Sequence, residues 1–371
     1  MEQFLLCVGL SFLITFCSTP IIIRIAHAKK LYDNPDNIRK LHKLPVPSLG
    51  GIGLFLGVFI SLSTFSEIWI SNTAFPCYLA TFVIIIALGL KDDILSLSPW
   101  TKVRGQVIIA LLLTFKAELL LNNMHGFLGY AAMSPMFSYP FTIFTIIVII
   151  NAFNLIDGVD GLASTIALIA ACAFGLYFII DGQLSYALFS FSLVASLIAF
   201  LIFNFPHAKI FMGDGGSMFV GLILAILSIQ FITSAPFSKV HAIAASPVLG
   251  FGFILVPIMD TLQVFVYRLL KGRSPFSPDR NHIHHLLLDS GFSNRAVVFF
   301  SALIGILSIL ASYYFAFVLG CTYGILALIV FFYLCAIVLY LIRKNYNKKT
   351  MKIIKSDEIE TKISLSNSAI R

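Results

Sequence analysis

Five carboxylates stand in three short segments of a chain that is otherwise poor in charge. Asp92 and Asp93 are adjacent. Asp157 and Asp160 lie in Asn151-Ala-Phe-Asn-Leu-Ile-Asp-Gly-Val-Asp-Gly161, and Asp214 lies in Phe211-Met-Gly-Asp-Gly-Gly-Ser217. Carboxylates gathered in one place repel one another unless a cation compensates them. Hard oxygen ligands suit Mg²⁺ or Mn²⁺, and Mg²⁺ commonly combines one or two protein carboxylates with a substrate diphosphate. Gly158, Gly161, Gly213, Gly215 and Gly216 flank these acids and would let backbone N–H groups approach phosphate. The uncharged stretch that follows Gly216 reads as a helix whose N-terminus would favour an anion.

A later segment carries the opposite charge. Arg268-Leu-Leu-Lys-Gly-Arg-Ser-Pro-Phe-Ser-Pro-Asp-Arg-Asn-His-Ile-His-His285 holds four cations and the histidines His282, His284 and His285. His282 and His285 share a face if the piece is helical. A histidine cluster can bind a transition metal, but imidazole-rich sites need further His or Cys nearby, and none is evident. Donation to a diphosphate fits better, with Arg268 and Arg280 as partners. Pro275 and Pro278 make 274–279 a shaped loop rather than a plain helix. Lys43, in the Pro/Gly turn His42-Lys-Leu-Pro-Val-Pro-Ser-Leu-Gly-Gly51, is a further candidate. Lys102 and Arg104, just after the Asp pair, are phosphate ligands or simple topology charges.

These loops must be positioned by membrane helices. Of 371 residues, 59% are hydrophobic and only 11% charged, against roughly 25% charged in soluble domains; mean hydropathy is +0.96. That excludes a soluble enzyme, a disordered chain and a coiled coil, and predicts an all-α, polytopic integral membrane protein. A span needs about 20 apolar residues. Uncharged stretches at 3–23, 44–66, 68–90, 161–180, 182–208, 215–238 and 240–259 qualify. Others fit at 105–121 and 135–153, and 296–342 holds two helices joined near Phe315–Tyr323. The count is about eleven. The first span reads as a signal-anchor with its N-terminus outside, because basic residues follow it rather than precede it. All 25 Lys and Arg except Lys116 and Lys239 then fall on the cytoplasmic side, as do the five acids and the C-terminus. The net charge of +8 needs no nucleic-acid partner; topology and anionic lipid headgroups account for it. Residues 1–342 read as one transmembrane domain and 343–371 as a mobile cytoplasmic tail. The six cysteines, without CxxC or Cys/His spacing, read as small buried hydrophobes.

The motifs resemble those of the polyprenyl-phosphate N-acetylhexosamine-1-phosphate transferases. Lys91-Asp-Asp93 with Leu97-Ser-Pro-Trp-Thr-Lys102, the Asn151–Leu162 run, Phe211–Ser217 and Pro275–His285 match in order over roughly 1–342. The last run is most similar to the branch that uses GlcNAc. The muramoyl-pentapeptide branch has a Lys three residues after the Asp pair and three consecutive His; Ser96 and His-Ile-His-His stand here. The resemblance implies transfer of GlcNAc-1-phosphate from UDP-GlcNAc to undecaprenyl phosphate with Mg²⁺ or Mn²⁺, in the bacterial inner membrane, at the start of O-antigen or common-antigen synthesis. It implies Asp214 as metal ligand joined by Asn154, and Asp92 and Asp93 as acids that deprotonate or position the lipid phosphate. Asp157 and Asp160 would line the nucleotide pocket. Phe211 would stack on uracil, Asn204 and Lys102 would face nucleotide and phosphates, and Arg280, His282, His284 and His285 would contact diphosphate and sugar. Another UDP-N-acetylhexosamine, GalNAc or a 6-deoxy amino sugar, would use the same metal and phosphate residues.

A secondary transporter is the rival class, but transporter sites lie near the bilayer midplane, whereas the five acids here sit at span ends. Asp260 is the exception, inside 240–267; it either caps a broken helix near the site or is a buried structural acid. Gly53-x-x-x-Gly57 and Gly320-x-x-x-Gly324 suggest a homodimer or plain helix packing.

Overall fold

The computed structural model describes residues 2–31, 46–65, 73–272, 282–289 and 291–368. Lys43 and Arg280 lie outside the described residues, as does the side chain of His285. The described chain is helical: α1 (Glu2–Ala28), α2 (Gly50–Thr64), α3 (Phe75–Leu95), α4 (Pro99–Phe115), α5 (Pro135–Ile156), α6 (Leu162–Ile180), α7 (Leu184–Asn204), α8 (Gly213–Ser234), α9 (Ser246–Phe253), α10 (Leu255–Leu270), α11 (Ile283–Leu288) and α12 (Asn294–Ser368). Among the described residues six helices are long and apolar enough to cross a membrane: α1, α5, α6, α7, α8 and the Asn294–Tyr346 part of α12. A seventh span results if α9 and α10, bent by 80°, are counted together.

The departures from the sequence-based boundaries have local causes. The stretch 240–259 is not one straight helix. Pro257 stands in the first turn of α10, where a missing N–H is tolerated; in a continuous helix its ring would strike the carbonyl of Phe253. The stretch 105–121 is cut short, because α4 begins at Pro99 under a Ser98 cap and ends at Phe115, leaving Lys116 and Glu118 beyond it. Among the described residues of 44–66, Gly50–Thr64 is helical. The turn inside 296–342 is a break at Gly320 (φ 70°, ψ −167°), backbone angles that glycine takes without a Cβ clash. The helix continues to Ser368, into the stretch read as a tail.

α8 is the axis of the bundle. Nearly every side chain from Gly215 to Phe231 is buried, and α2, α3, α5, α6, α7 and α9 all pack on it. By contrast α12 turns large apolar side chains outward, among them Leu310, Phe317 and Val330, as a lipid-facing helix does. Lipid is as apolar as the helices, so close packing and polar pairs must hold them together. Between α1, α2 and α7 a buried hydroxyl ladder does this: Ser11 and Thr15 reach Ser196 at 2.9 and 2.8 Å, and Thr15 donates to the Gly53 carbonyl at 3.2 Å. Gly57 lets α1 in; a Cβ there would fall 2.0 Å from Thr15 Oγ1. At Gly324 a Cβ would meet Val248 at 2.9 Å. The Gly53/Gly57 pair and Gly324 therefore serve packing inside the chain.

Candidate active site

The N-terminal ends of α2, α4 and α8 meet the C-terminal ends of α3 and α5 at one end of the bundle. The join is tight because it is built on glycine. A Cβ on Gly89 of α3 would lie 2.3 Å from Gly215 Cα. Gly213 has φ +70° and no room for a side chain, since a Cβ would fall 2.0 Å from the Ser48 carbonyl oxygen. The Pro/Gly turn before α2 docks here too: Gly50 and Gly51 donate to the Phe211 and Met212 carbonyls, both at 2.9 Å, and Phe211 N–H donates to the Pro47 carbonyl at 2.8 Å. Gly213 and Gly216 thus admit neighbouring backbone.

The start of α8 has no side-chain cap of its own. Asp93 supplies it from α3, accepting from the Asp214 and Gly215 N–H groups at 2.7 and 3.0 Å. The anion expected at this helix N-terminus is therefore a residue of the chain. Asp93 lies past the apolar part of α3. Burial pushes its carboxyl up to about 7, against the two N–H donors that favour its charge.

Asp92, buried, turns the other way. One oxygen accepts from Leu97 N–H at 2.6 Å and fixes the α3–α4 turn; the other contacts the Lys102 ammonium. Lys102 also donates to Asp214 Oδ2 at 2.6 Å. Asp214 Oδ1 accepts from Asn154 Nδ2 at 2.8 Å, and the same amide reaches Ser217 Oγ at 2.9 Å. One turn earlier on α5, Asn151 donates to Gln106 of α4 at 2.7 Å. Asp92, Asp93, Lys102, Asn154 and Asp214 thus form one connected cluster.

The α5–α6 loop lies beside it. Asp157 is half-buried; burial, then the charges of Asp214, Asp93 and Asp160, push its carboxyl up to about 8. Asp160 is buried and accepts from Ala208 N–H at 3.3 Å. Asn204 takes Gly161 N–H on its oxygen at 2.8 Å and gives its amide to the Ile210 carbonyl at 2.9 Å. It ties two loops together, a use its sequence context did not reveal. Phe211 is half-buried on that second loop.

The histidine segment closes the far side. His282 Nδ1 lies 2.8 Å from Asp260 Oδ2, and the His282 and His284 rings stack at 5.4 Å. His284 abuts the acidic loop: a Cβ on Gly158 would come within 2.6 Å of its Nε2. Arg268 is buried at the end of α10, with its guanidinium 5.9 Å from the Phe265 ring centre. Gln106, Asn151 and Ser217 join the cluster without a role assigned to them from the sequence. Their signals were an amide inside apolar α4, the three-residue offset of Asn151 from Asn154, and Ser217 on the same α8 turn as Asp214.

Among the described residues no three His, Cys, Asp or Glu side chains form a ready-made metal cluster. Two carboxylates, Asp92 and Asp214, do converge on a single cationic nitrogen. That donor set fits a hard divalent ion that takes its remaining ligands from substrate phosphate and water.

The chain is 32% identical over 324 residues to the undecaprenyl-phosphate alpha-N-acetylglucosaminyl 1-phosphate transferase of Haemophilus influenzae, covering 84% of this chain and 88% of that one. Residues 75–232 match the family model described as glycosyl transferase family 4. The chain belongs to this family. The enzymes of the same description from Salmonella typhimurium and Escherichia coli K12 are 32% identical over 285 residues (76% of this chain, 74% of the other) and 31% identical over 299 residues (78% and 79%). The family match runs from the first residue of α3 into α8. It contains all five acids, Lys102 and Asn154, and stops before Asp260 and the histidines.

Proposed function

We propose that this glycosyl transferase family 4 member moves GlcNAc-1-phosphate from UDP-GlcNAc to undecaprenyl phosphate, giving undecaprenyl-diphospho-GlcNAc and UMP. The observation that carries this reading is the Asp92–Lys102–Asp214–Asn154 constellation at one end of a membrane bundle. The names of the relatives support the substrates. The bias of basic residues toward the loops at that end supports a cytoplasmic active site with the N-terminus outside, and the bacterial sources of the relatives support the bacterial inner membrane.

In phosphoryl transfer, positioning and charge neutralisation dominate over covalent work. A bound Mg²⁺ or Mn²⁺ supplies charge neutralisation at the sugar diphosphate, and Asp214, Asp92 and Asn154 would hold it. Lys102 brings one further positive charge to the same phosphates. Asp93, engaged by two backbone N–H groups, holds the start of α8 and with it Asp214. A carboxylate of the Asp92-Asp93 pair takes the remaining proton of the lipid phosphate, which is already largely anionic, and Asp157 lies on the nucleotide side. The lipid phosphate oxygen bonds to the β-phosphorus in line, the bond from that phosphorus to the bridging oxygen breaks, and UMP leaves with the electron pair. Asp160 and Phe211 line the nucleotide side, and His282 and His284 face the diphosphate and sugar.

The test is UMP release by purified protein in detergent with undecaprenyl phosphate, Mg²⁺ and a panel of UDP-sugars. UDP-GlcNAc is the expected substrate; preference for UDP-GalNAc would move the sugar assignment, and silence with every sugar would defeat the enzyme reading. A burst of UMP from UDP-GlcNAc without lipid would replace in-line attack by a covalent intermediate.

A further inference from the structure

We propose that Asp260 is a positioning residue for this reaction: it orients His282 and, through it, clips the histidine segment onto the acidic α5–α6 loop. The inference rests on the transferase reading of the site.

Asp260 lies two turns beyond the break that separates α9 from α10 and is 2% exposed. A carboxylate at such a depth is costly unless its oxygens are occupied. Here both are. Oδ2 faces His282 Nδ1 at 2.8 Å, and Oδ1 accepts from Ile283 N–H at 2.8 Å and from Gln263 Nε2 at 3.2 Å. Ile283 opens α11, so one of the N–H groups that a helix start leaves without an intrahelical partner is satisfied by a residue of α10.

The bond to His282 does more than anchor. A carboxylate only accepts, so it keeps the proton on Nδ1 and fixes where Nε2 points. The His282 ring lies nearly parallel to that of His284, at 11°, and His284 is itself buried against Gly158, next to Asp157. α10 packs on α5, whose C-terminal turn carries Asn154. A continuous path therefore leads from Asp260 through two stacked imidazoles to the acidic loop. The bend at Ile254 sets the direction of α10 and so of Asp260. A plain structural acid would need no such path.

The experiment uses the full chain in detergent. Asp260→Asn keeps an oxygen for Ile283 N–H but cannot accept from the imidazole if that oxygen stays in place. Its kcat should fall roughly 10–100-fold, by analogy with the loss when the hydrogen-bond partner of a metal-ligating histidine is removed, while KM for both substrates stays within about threefold, because a group acting in the transition state changes kcat rather than KM. The melting temperature should hold. The double variant Asp260→Asn/His282→Gln should be no slower than His282→Gln alone. Multiplying losses in the double variant, or lost thermal stability with unchanged kcat, would overturn the proposal. Hydrogen exchange reads the anchor without turnover: at Ile283 it should rise in Asp260→Ala and little in Asp260→Asn. Equal exchange in wild type and Asp260→Ala would also overturn it. A wild type that releases no UMP from any UDP-sugar would instead fail the transferase reading, with the exchange result still standing for or against the anchor.

Discussion

Replacing Lys102 by Met should tighten metal binding in the absence of nucleotide while slowing turnover. The ammonium sits between Asp92 and Asp214, in the position toward which both carboxylates point, so it competes with any divalent ion for the Asp214 oxygens. Two unit charges about 4 Å apart attract by about 4 kcal/mol at an effective dielectric near 20. Desolvation offsets much of this, and a hydrogen bond to a charged group contributes a net of about 1.5–3 kcal/mol. The Asp214 side chain is 31% exposed and that of Lys102 23%, so solvent screening favours the lower half of that range. Removing the competitor should therefore strengthen metal binding by about 2 kcal/mol, or roughly 30-fold. Met preserves the aliphatic length, which keeps the packing of the first turn of α4. The assay is Mn²⁺ titration followed by electron paramagnetic resonance on detergent-solubilised protein without UDP-sugar. Asp214→Asn is the control and should lose the metal. An unchanged or weaker Mn²⁺ affinity in Lys102→Met would refute the reasoning, because it would mean that Lys102 keeps its place when metal binds.

Three further outcomes are expected. Asp93→Ala leaves two α8 N–H groups without their cap and should cost about 1–2 kcal/mol of stability, seen as a lower melting temperature; loss of turnover at full stability would instead make Asp93 the proton acceptor. The Asp157 carboxyl, pushed up to about 8, binds more protons in the folded than in the unfolded chain, so its contribution is present at low pH and fades as pH rises from about 4 through about 8. Metal-free melting temperatures should thus fall over that window, with a shallower slope in Asp157→Asn; identical slopes would remove Asp157 as the cause. Gly89→Ala forces a Cβ to within 2.3 Å of Gly215 Cα and should cost about 1–3 kcal/mol by overpacking, with activity lost alongside. Gly9→Ala, inside α1 where a Cβ meets nothing within 4 Å, is the control and should keep activity with stability unchanged or raised by up to about 1 kcal/mol.

The site's membership was legible in the sequence because charge is scarce in this chain. Acids that survive among apolar helices are conspicuous, and Asp92, Asp93 and Asp214 do meet. Their division of labour was not legible. Nothing in the adjacent pair Asp92-Asp93 says that one carboxylate fixes the α3–α4 turn and contacts Lys102 while its neighbour caps α8, 121 residues away. The two side chains leave the helix about 100° apart, so adjacent residues must face different partners. Asn204 and the glycines of 213–216 show the same limit, because a ligand and a packed backbone ask for the same residue types.

The membrane class, the apolar helices and the clustering of acids at span ends follow from composition and from runs along the chain. Those are sums and local periods, and a sequence carries them whole. The break before α10, the cap that Asp93 lends to α8, the Lys102 bridge and the Asp260–His282 clip depend on which helix ends are brought within hydrogen-bond reach. That is decided by how α8 is surrounded, through glycine contacts between segments far apart in sequence, so only the tertiary structure settles it.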